Sequence, residues 1–345
     1  MVSIKISFLL LIIISGSYCY DTINNIKYIH VLYTVTKHSG YLLGLKASIL
    51  SLVTNLDSKV HLNIYVFVAQ EDRMFVDRNV LEHLQDKTIV DAPDLSDITD
   101  YLEPAIEKAK YRVILAVFGC DELPETLPKH LRFENTDTYQ YIEDAEVLWC
   151  RYTALDYLNI LVGVVHLIYI DTDTIITKDI SSMIPEDIDE QHLYAVENKK
   201  IKNKDMWVSL CENTPSSIYN DFCEKYSFAN GVFVMNLDHW YLNRYMDKME
   251  EMMSTFPEPY IADTAILNML YYDTYGKLDS KFNAMGLGIG KRYPDVFADS
   301  AYILHWTGPL KWWNDATNNH LVKSYYPENY DSYYMNKILQ EDDII

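Results

Sequence analysis

The stretch "VVHLIYIDTDTII", Val164 to Ile176, constrains the fold more than any other. It is the most apolar run after the N-terminus, and it is broken by Asp171-Thr172-Asp173. An apolar, β-branched run of this length reads as a buried strand. Burying an unpaired carboxylate is costly, so two of them at the end of such a strand need a partner. Strands and helices alternate before this stretch. "IKYIHVLYTVT" (Ile26 to Thr36) reads as a strand, and "VHLNIYVFVA" (Val60 to Ala69) as a second. Between them Leu42, Leu45, Ile49, Leu52 and Leu56 recur at helical spacing, with Ser39 placed to cap. "RNVLEHLQD" predicts a helix, "YRVILAVFG" a third strand and "VLWCRYTALDYLNIL" a further helix. This alternation predicts an α/β domain on a central, mostly parallel sheet. In open sheets of that kind ligands bind beyond the carboxyl ends of the strands, where Asp171 and Asp173 fall.

Further on, "FANGVFVMNLDHW" predicts a glycine-broken turn followed by a strand. "YIADTAILNMLYYD" predicts a helix with Asp263 in its first turn, and "SAYILHWTGPLKWW" a strand running into a Gly-Pro loop. Residues 121–146 are polar and acidic and read as a surface excursion. There is no internal repeat and no low-complexity linker, so a single domain is expected.

The formal net charge of the 345 residues is -21, which excludes a general nucleic-acid binder and disfavours anionic membrane surfaces. An anionic small ligand then requires locally supplied cations. At the N-terminus Lys5 precedes the apolar run Ile6 to Ile14, with Ser17 and Cys19 two apart. The run is shorter than the ~20 residues of a spanning helix. Residues 1–19 therefore read as a cleaved secretory signal, with an uncleaved anchor as the alternative. No stable membrane span is expected after cleavage, and the mature chain is expected in the lumen of the secretory pathway or outside the cell. Four cysteines remain, an even number that suits an oxidising compartment. Cys211 and Cys223 are the easiest pair to propose, but sequence alone does not determine the pairing. The Tyr-rich residues 318–345 read as a polar tail.

Two like charges two residues apart repel unless a proton or cation lies between them. A hard divalent cation answers that need and also bridges phosphate oxygens. A turn ending the strand is the alternative. Haloacid-dehalogenase-like phosphatases also carry such a pair, with the first acid, here Asp171, as nucleophile. Ile175 stands where their motif has Thr or Val, and no convincing set of downstream acids is present.

The chain resembles the retaining glycosyltransferases of family 8 from about Ile29 to Trp313. "LIYIDTDTII" is similar to their metal-binding strand, and "HWTGPLKWW" (His305 to Trp313) to their C-terminal His-x-x-Gly-x-x-Lys motif. "GVFVMNLDHW" is similar to their sugar-site strand, and "YTVTKHSGYLLGLKASI" to their nucleotide-binding loop and helix. The resemblance implies a GT-A fold, one Rossmann-like domain over residues 26–317, a UDP-sugar donor, Mn2+ and retention of configuration. The acceptor it implies is a glycan or glycoprotein hydroxyl. Carried over by position, Asp171, Asp173 and His305 bind metal. Gly308 admits the diphosphate closely and Lys311 places a cation on it. Leu32, Thr34 and Val35 lie near the uridine, with His38 where the family often has a stacking Tyr. Asp263 contacts the transferred sugar or acceptor, although Thr264 replaces the usual Gln. Asn230 serves the sugar site from a position shifted by one residue, in Phe228-Ala229-Asn230-Gly231. Arg151 matches a helix arginine of the family, a structural ion pair being the other reading. The departures at Asn230 and Thr264 keep open a catalytically inactive relative that binds nucleotide sugars.

Overall fold

The computed structural model describes residues 27–36, 39–56, 60–69, 72–76, 89–91, 113–120, 131–133, 140–142, 145–207, 211–212, 217–255, 263–287, 295–308 and 311–313. The N-terminal segment, His38, the segment "RNVLEHLQD" and the C-terminal tail lie outside them.

The architecture is mixed α/β with a central, largely parallel sheet. In chain order its main elements are β1 (Lys27–Thr34), α1 (Ser39–Asn55), β2 (Val60–Ala69), β3 (Ile89–Asp91), β4 (Val113–Cys120) and α2 (Ala145–Tyr157). There follow β5 (His166–Ile170), β6 (Thr174–Ile176), β7 (Leu193–Lys202), β8 (Tyr226–Asn236), α3 (Asp263–Tyr271), β9 (Gly276–Lys277) and β10 (Ile303–His305). Within residues 121–146 a short antiparallel hairpin pairs Leu131–Phe133 with Gln140–Ile142. Among the described residues no helix is long and apolar enough to cross a membrane.

The chain divides into two compact units. The first comprises Met1–Leu32, Cys120–Tyr169 and Ile184–Leu278. Its strands run in the order β9-β7-β8-β5-β1. The pairs β1–β5 and β9–β7 are parallel, and β7–β8 is antiparallel. The sequence predicted a glycine-broken turn at Phe228–Gly231; β8 instead runs through it, with shifts of register against β7 between Tyr226 and Phe233. A bulge of this kind re-aims side chains without ending the strand. Disulfides join Cys120 to Cys150 and Cys211 to Cys223, each with Cα atoms 5.9 Å apart. The helix α2 continues into a π-helical turn, Leu158–Val162, and Gly163 ends it in the left-handed conformation at φ 74°.

The second unit comprises Tyr33–Gly119, Ile170–Met183 and Asp279–Ile345. Its strands β2, β4 and β3 lie side by side, and β6 pairs antiparallel with β10. The predicted apolar stripe of α1 is buried at Leu42, Leu45, Ile49 and Leu52, and so are Leu43, Ala47 and Leu50 around it. With apolar surface covered on more than one side, the helix meets β6 through polar groups. Ser51 Oγ accepts from the Ile176 N–H at 2.9 Å, and Asn55 Nδ2 donates to the Ile176 carbonyl at 3.1 Å. Each such bond contributes about 1 kcal/mol, and losing one partner costs more because the other is left buried.

Candidate metal centre

Asp171 leaves the carboxyl end of β5, and the chain turns through Thr172 and Asp173 before β6 begins. The turn is held by Thr174, whose hydroxyl donates to the Asp171 carbonyl at 2.9 Å. The same Oγ1 lies 2.8 Å from Ser48 Oγ on α1, which in turn lies 3.1 Å from the buried Tyr33 hydroxyl. A chain of hydroxyls thus fixes the acid loop against the first helix. The register of β6 with β10 sets Thr174 opposite His305, and the Trp306 N–H donates to the Asp173 carbonyl at 3.0 Å. In this way the antiparallel pairing delivers His305 to the acid pair.

His305 Nε2 lies 3.0 Å from Asp173 Oδ1 and 3.6 Å from Asp171 Oδ2. One ligand atom from each of the three residues falls within 4.8 Å of the other two. His305 and Asp173 are buried, and Asp171 is partly open. At 2.9 Å, Nδ1 of His305 donates to Asn283 Oδ1. In the neutral ring this leaves the Nε2 lone pair pointing at the carboxylates, the tautomer a metal ligand requires. Asp173 Oδ1 is fully buried and accepts no well-formed hydrogen bond despite its short approach to Nε2. An orphaned carboxylate oxygen facing an imidazole lone pair fits a cation between them. Two carboxylates with one imidazole suit a divalent metal ion.

Lys311 supplies positive charge at the same place. Its Nζ donates to Asp173 Oδ2 at 2.7 Å and to the Trp306 carbonyl at 2.9 Å. Burial alone raises the Asp173 carboxyl pKa, but without an ion the His305 ring, when it carries a proton on Nε2, and the Lys311 ammonium outweigh it and hold the group well below the usual carboxylate range. Burial alone would lower the Lys311 ammonium; Asp173 above all outweighs it and raises the group.

The other predicted site residues are placed as follows. Val35 is buried and its N–H donates to the Phe67 carbonyl at 3.0 Å; Thr34 is buried beside it. Gly308 is buried and its N–H donates to the Leu287 carbonyl at 3.0 Å, so that donor is already used. His38 lies outside the described residues. In the first unit, Leu32 is a core side chain, while Arg151 and Asn230 meet. Arg151 Nη1 donates to the Asn230 carbonyl at 3.2 Å, and its guanidinium stands over the Tyr169 ring at 4.7 Å. Asp263 begins α3, as the helix pattern predicted; its side chain is outside the description.

Three contributors had no role assigned from the sequence. Asn283 orients His305. Asn268, wholly buried on α3, accepts from the Phe228 N–H at 2.8 Å and donates to the Phe228 carbonyl at 3.0 Å, bracing the bulged strand. Trp313 packs on α1. No periodicity marks such residues, because their partners are distant in sequence.

The chain has counterparts among known proteins. The family model described as "Glycosyl transferase family 8" matches residues 30–317. Human glycosyltransferase 8 domain-containing protein 1 is 32% identical over 97 residues, 25% of this chain and 26% of that protein. Glycosyltransferase GlyB of Streptococcus pneumoniae serotype 4 is 27% identical over 163 residues, 44% of this chain and 35% of that protein. The matches thus span only about a quarter to a third of those relatives. Among solved structures the bifunctional glycosyltransferase WbbM superposes with a TM-score of 0.56 at 12% identity, covering 90% of this chain and 52% of that one. At that identity the likeness shows the fold, which is the GT-A type. The family match takes in the acid pair, the bulged strand and the His305–Lys311 motif together, and it removes the phosphatase reading of Asp171. On that match the chain belongs to glycosyl transferase family 8.

Proposed function

We propose that the chain is a metal-dependent, retaining glycosyltransferase. It moves a hexosyl or pentosyl unit from a UDP-sugar to a hydroxyl of a glycan or glycoprotein. Its place is the lumen of the secretory pathway or outside the cell, a reading supported by the apolar N-terminus and the two disulfides. The observation that carries the proposal is the convergence of Asp171, Asp173 and His305, with Lys311 already on Asp173.

Asp171, Asp173 and His305 would hold a divalent cation, Mn2+ in this reading, which would supply counter-charge to a diphosphate leaving group. The chain's own residues do the rest. Asn283 keeps the His305 Nε2 lone pair facing the ligand position. Lys311 spends two of its three ammonium protons on Asp173 and Trp306, leaving one for a phosphate oxygen. Lys311 is thus a local cation in a chain whose overall charge repels the donor. By the family resemblance Thr34 and Val35 are assigned to the uridine, Asp263 and Asn230 to the sugar, and Arg151 to the donor. Substitution proceeds on one face of the sugar, with no side chain assigned as a covalent nucleophile.

The test is UDP release from a panel of UDP-sugars, with Mn2+ and with chelator. Release should require the metal, and Asp173→Asn should reduce it by ~10²-fold or more. Release indifferent to chelator and to Asp173→Asn overturns the metal reading. Tight binding of UDP and Mn2+ with no transfer from any donor instead identifies an inactive, nucleotide-sugar-binding relative.

A further inference from the structure

Trp313 lies against the first turns of α1, where the helix has Gly40 and Gly44. A Cβ at Gly40 would stand 2.7 Å from the Trp313 indole nitrogen, and the three atoms nearest to it all belong to that indole. A Cβ at Gly44 would stand 2.6 Å from the Trp313 ring and 2.6 Å from the Thr172 carbonyl oxygen. A glycine inside a helix is less favourable than alanine. The two close approaches account for both. Tyr41 meets Trp313 edge-on with ring centroids 5.7 Å apart, and Trp312 does so at 5.2 Å. Trp312 itself is buried with Leu43, Ala47, Leu304 and Trp306.

Two residues before Trp313 stands Lys311, gripping Asp173. The segment 311–313 therefore has one end in the glycine notch of α1 and the other on the acid loop. At Gly44 the middle of that loop, Thr172, touches the same notch. We propose that Trp313 is a positioning residue: its indole, seated between Gly40 and Gly44, holds Lys311 on Asp173. The charge arrangement around Asp173 is then set by a hydrophobic contact on the helix that follows the first strand. The consequence for turnover rests on the transferase reading above, whereas the placement of Lys311 does not.

The discriminating variants are Trp313→Ala, Trp313→Phe and Gly40→Ala. Gly40→Ala presses first on the indole and favours the helix, so it is the milder perturbation, and its melting temperature beside the parent's checks that the fold is kept. The primary readout is the rate of acylation of each lysine in the full chain, without metal, followed by mass spectrometry. Lys311, part-buried and ion-paired, should react slowly in the parent. Losing its charge-assisted bond should raise its labelling about tenfold or more in Trp313→Ala and Gly40→Ala. Trp313→Phe and all other lysines, Lys248 among them, should stay near parent rates. Unchanged Lys311 labelling in Gly40→Ala overturns the proposal. Should Trp313→Ala expose every lysine, it has unfolded, and Gly40→Ala decides. In transfer assays both disruptive variants should lower kcat more than they raise KM for the donor; a lower melting temperature at parental kcat means that Trp313 only fills space. Raised Lys311 labelling in the variants, with a parent that transfers nothing, refutes the transferase reading and leaves the positioning role standing.

Discussion

Asn283 decides which nitrogen of His305 faces the acid pair. Its Oδ1 takes the Nδ1 proton, and Nε2 is left as the ligand. Asn283→Ala frees the ring to rotate and to exchange tautomers. Outer partners of this kind are worth ~10–100-fold in metal affinity. Mn2+ titration by calorimetry should show that loss, with Asn283→Asp restoring much of it because a carboxylate also accepts from Nδ1. Equal affinity in all three proteins would mean that the imidazole is held by packing alone. Asp173, with Oδ2 on Lys311 and Oδ1 toward His305, shows how one side chain serves both the proposed ion and the local cation.

At the scale of elements, two strand contacts build the site regions. The pairing of β6 with β10 joins the acid loop to His305, and the brace from α3 to β8 fixes the bulge next to Asn230. The brace depends on one amide. Asn268→Ala leaves the buried Phe228 N–H and carbonyl without the partner they share, and also removes the bond from Asn268 Nδ2 to the Thr264 carbonyl. The expected cost is on the order of 2 kcal/mol, measurable as a lowered midpoint in urea. Asn268→Asp retains the acceptor but not the donor and should fall between. An unshifted midpoint for Asn268→Ala would show that water replaces the amide and that the bulge stands without it.

Over the whole molecule, titration links stability to pH. Burial, aided by His166, lowers the His30 pKa to about 4. Burial, with His192 and Lys248 beside it, does the same for His239, whose ring stacks on His192 with centroids 3.3 Å apart. Burial also lowers His192 against the pull of Asp189. A histidine depressed from its ordinary 6.5 binds its proton more readily in the unfolded chain. Its contribution is full above pH 6.5 and falls as pH drops toward 4. Asp156 acts in the opposite sense, since burial pushes its carboxyl up to about 6. Three histidines against one aspartate predict a net loss of stability between pH 6.5 and 4. Replacing His30 with Asn should flatten that slope by on the order of 2 kcal/mol across the window. Urea denaturation at several pH values checks it, and parallel slopes for parent and variant would refute it.

The strand and helix pattern, the acid pair at a strand mouth and the His305–Lys311 motif were all legible in the chain. They depend on apolar periodicity, on adjacent charges and on short spacings, which are local properties. The α1 stripe and the β5 strand followed from period alone, and the family resemblance from quoted motifs. The bulge in β8 was not legible, because register is decided by the neighbouring strand. The same holds for Asn283, Asn268 and the Trp313 notch. Each role consists of a partner far away in sequence, which for the two asparagines is brought within about 3 Å only by folding. The sequence by itself determined which chemical groups are present and where the strands end. Only the tertiary structure decided which nitrogen of His305 meets the acids, and that Lys311 already rests on Asp173. Tautomer and ion pairing are set by contacts through space, and one-dimensional spacing does not encode them.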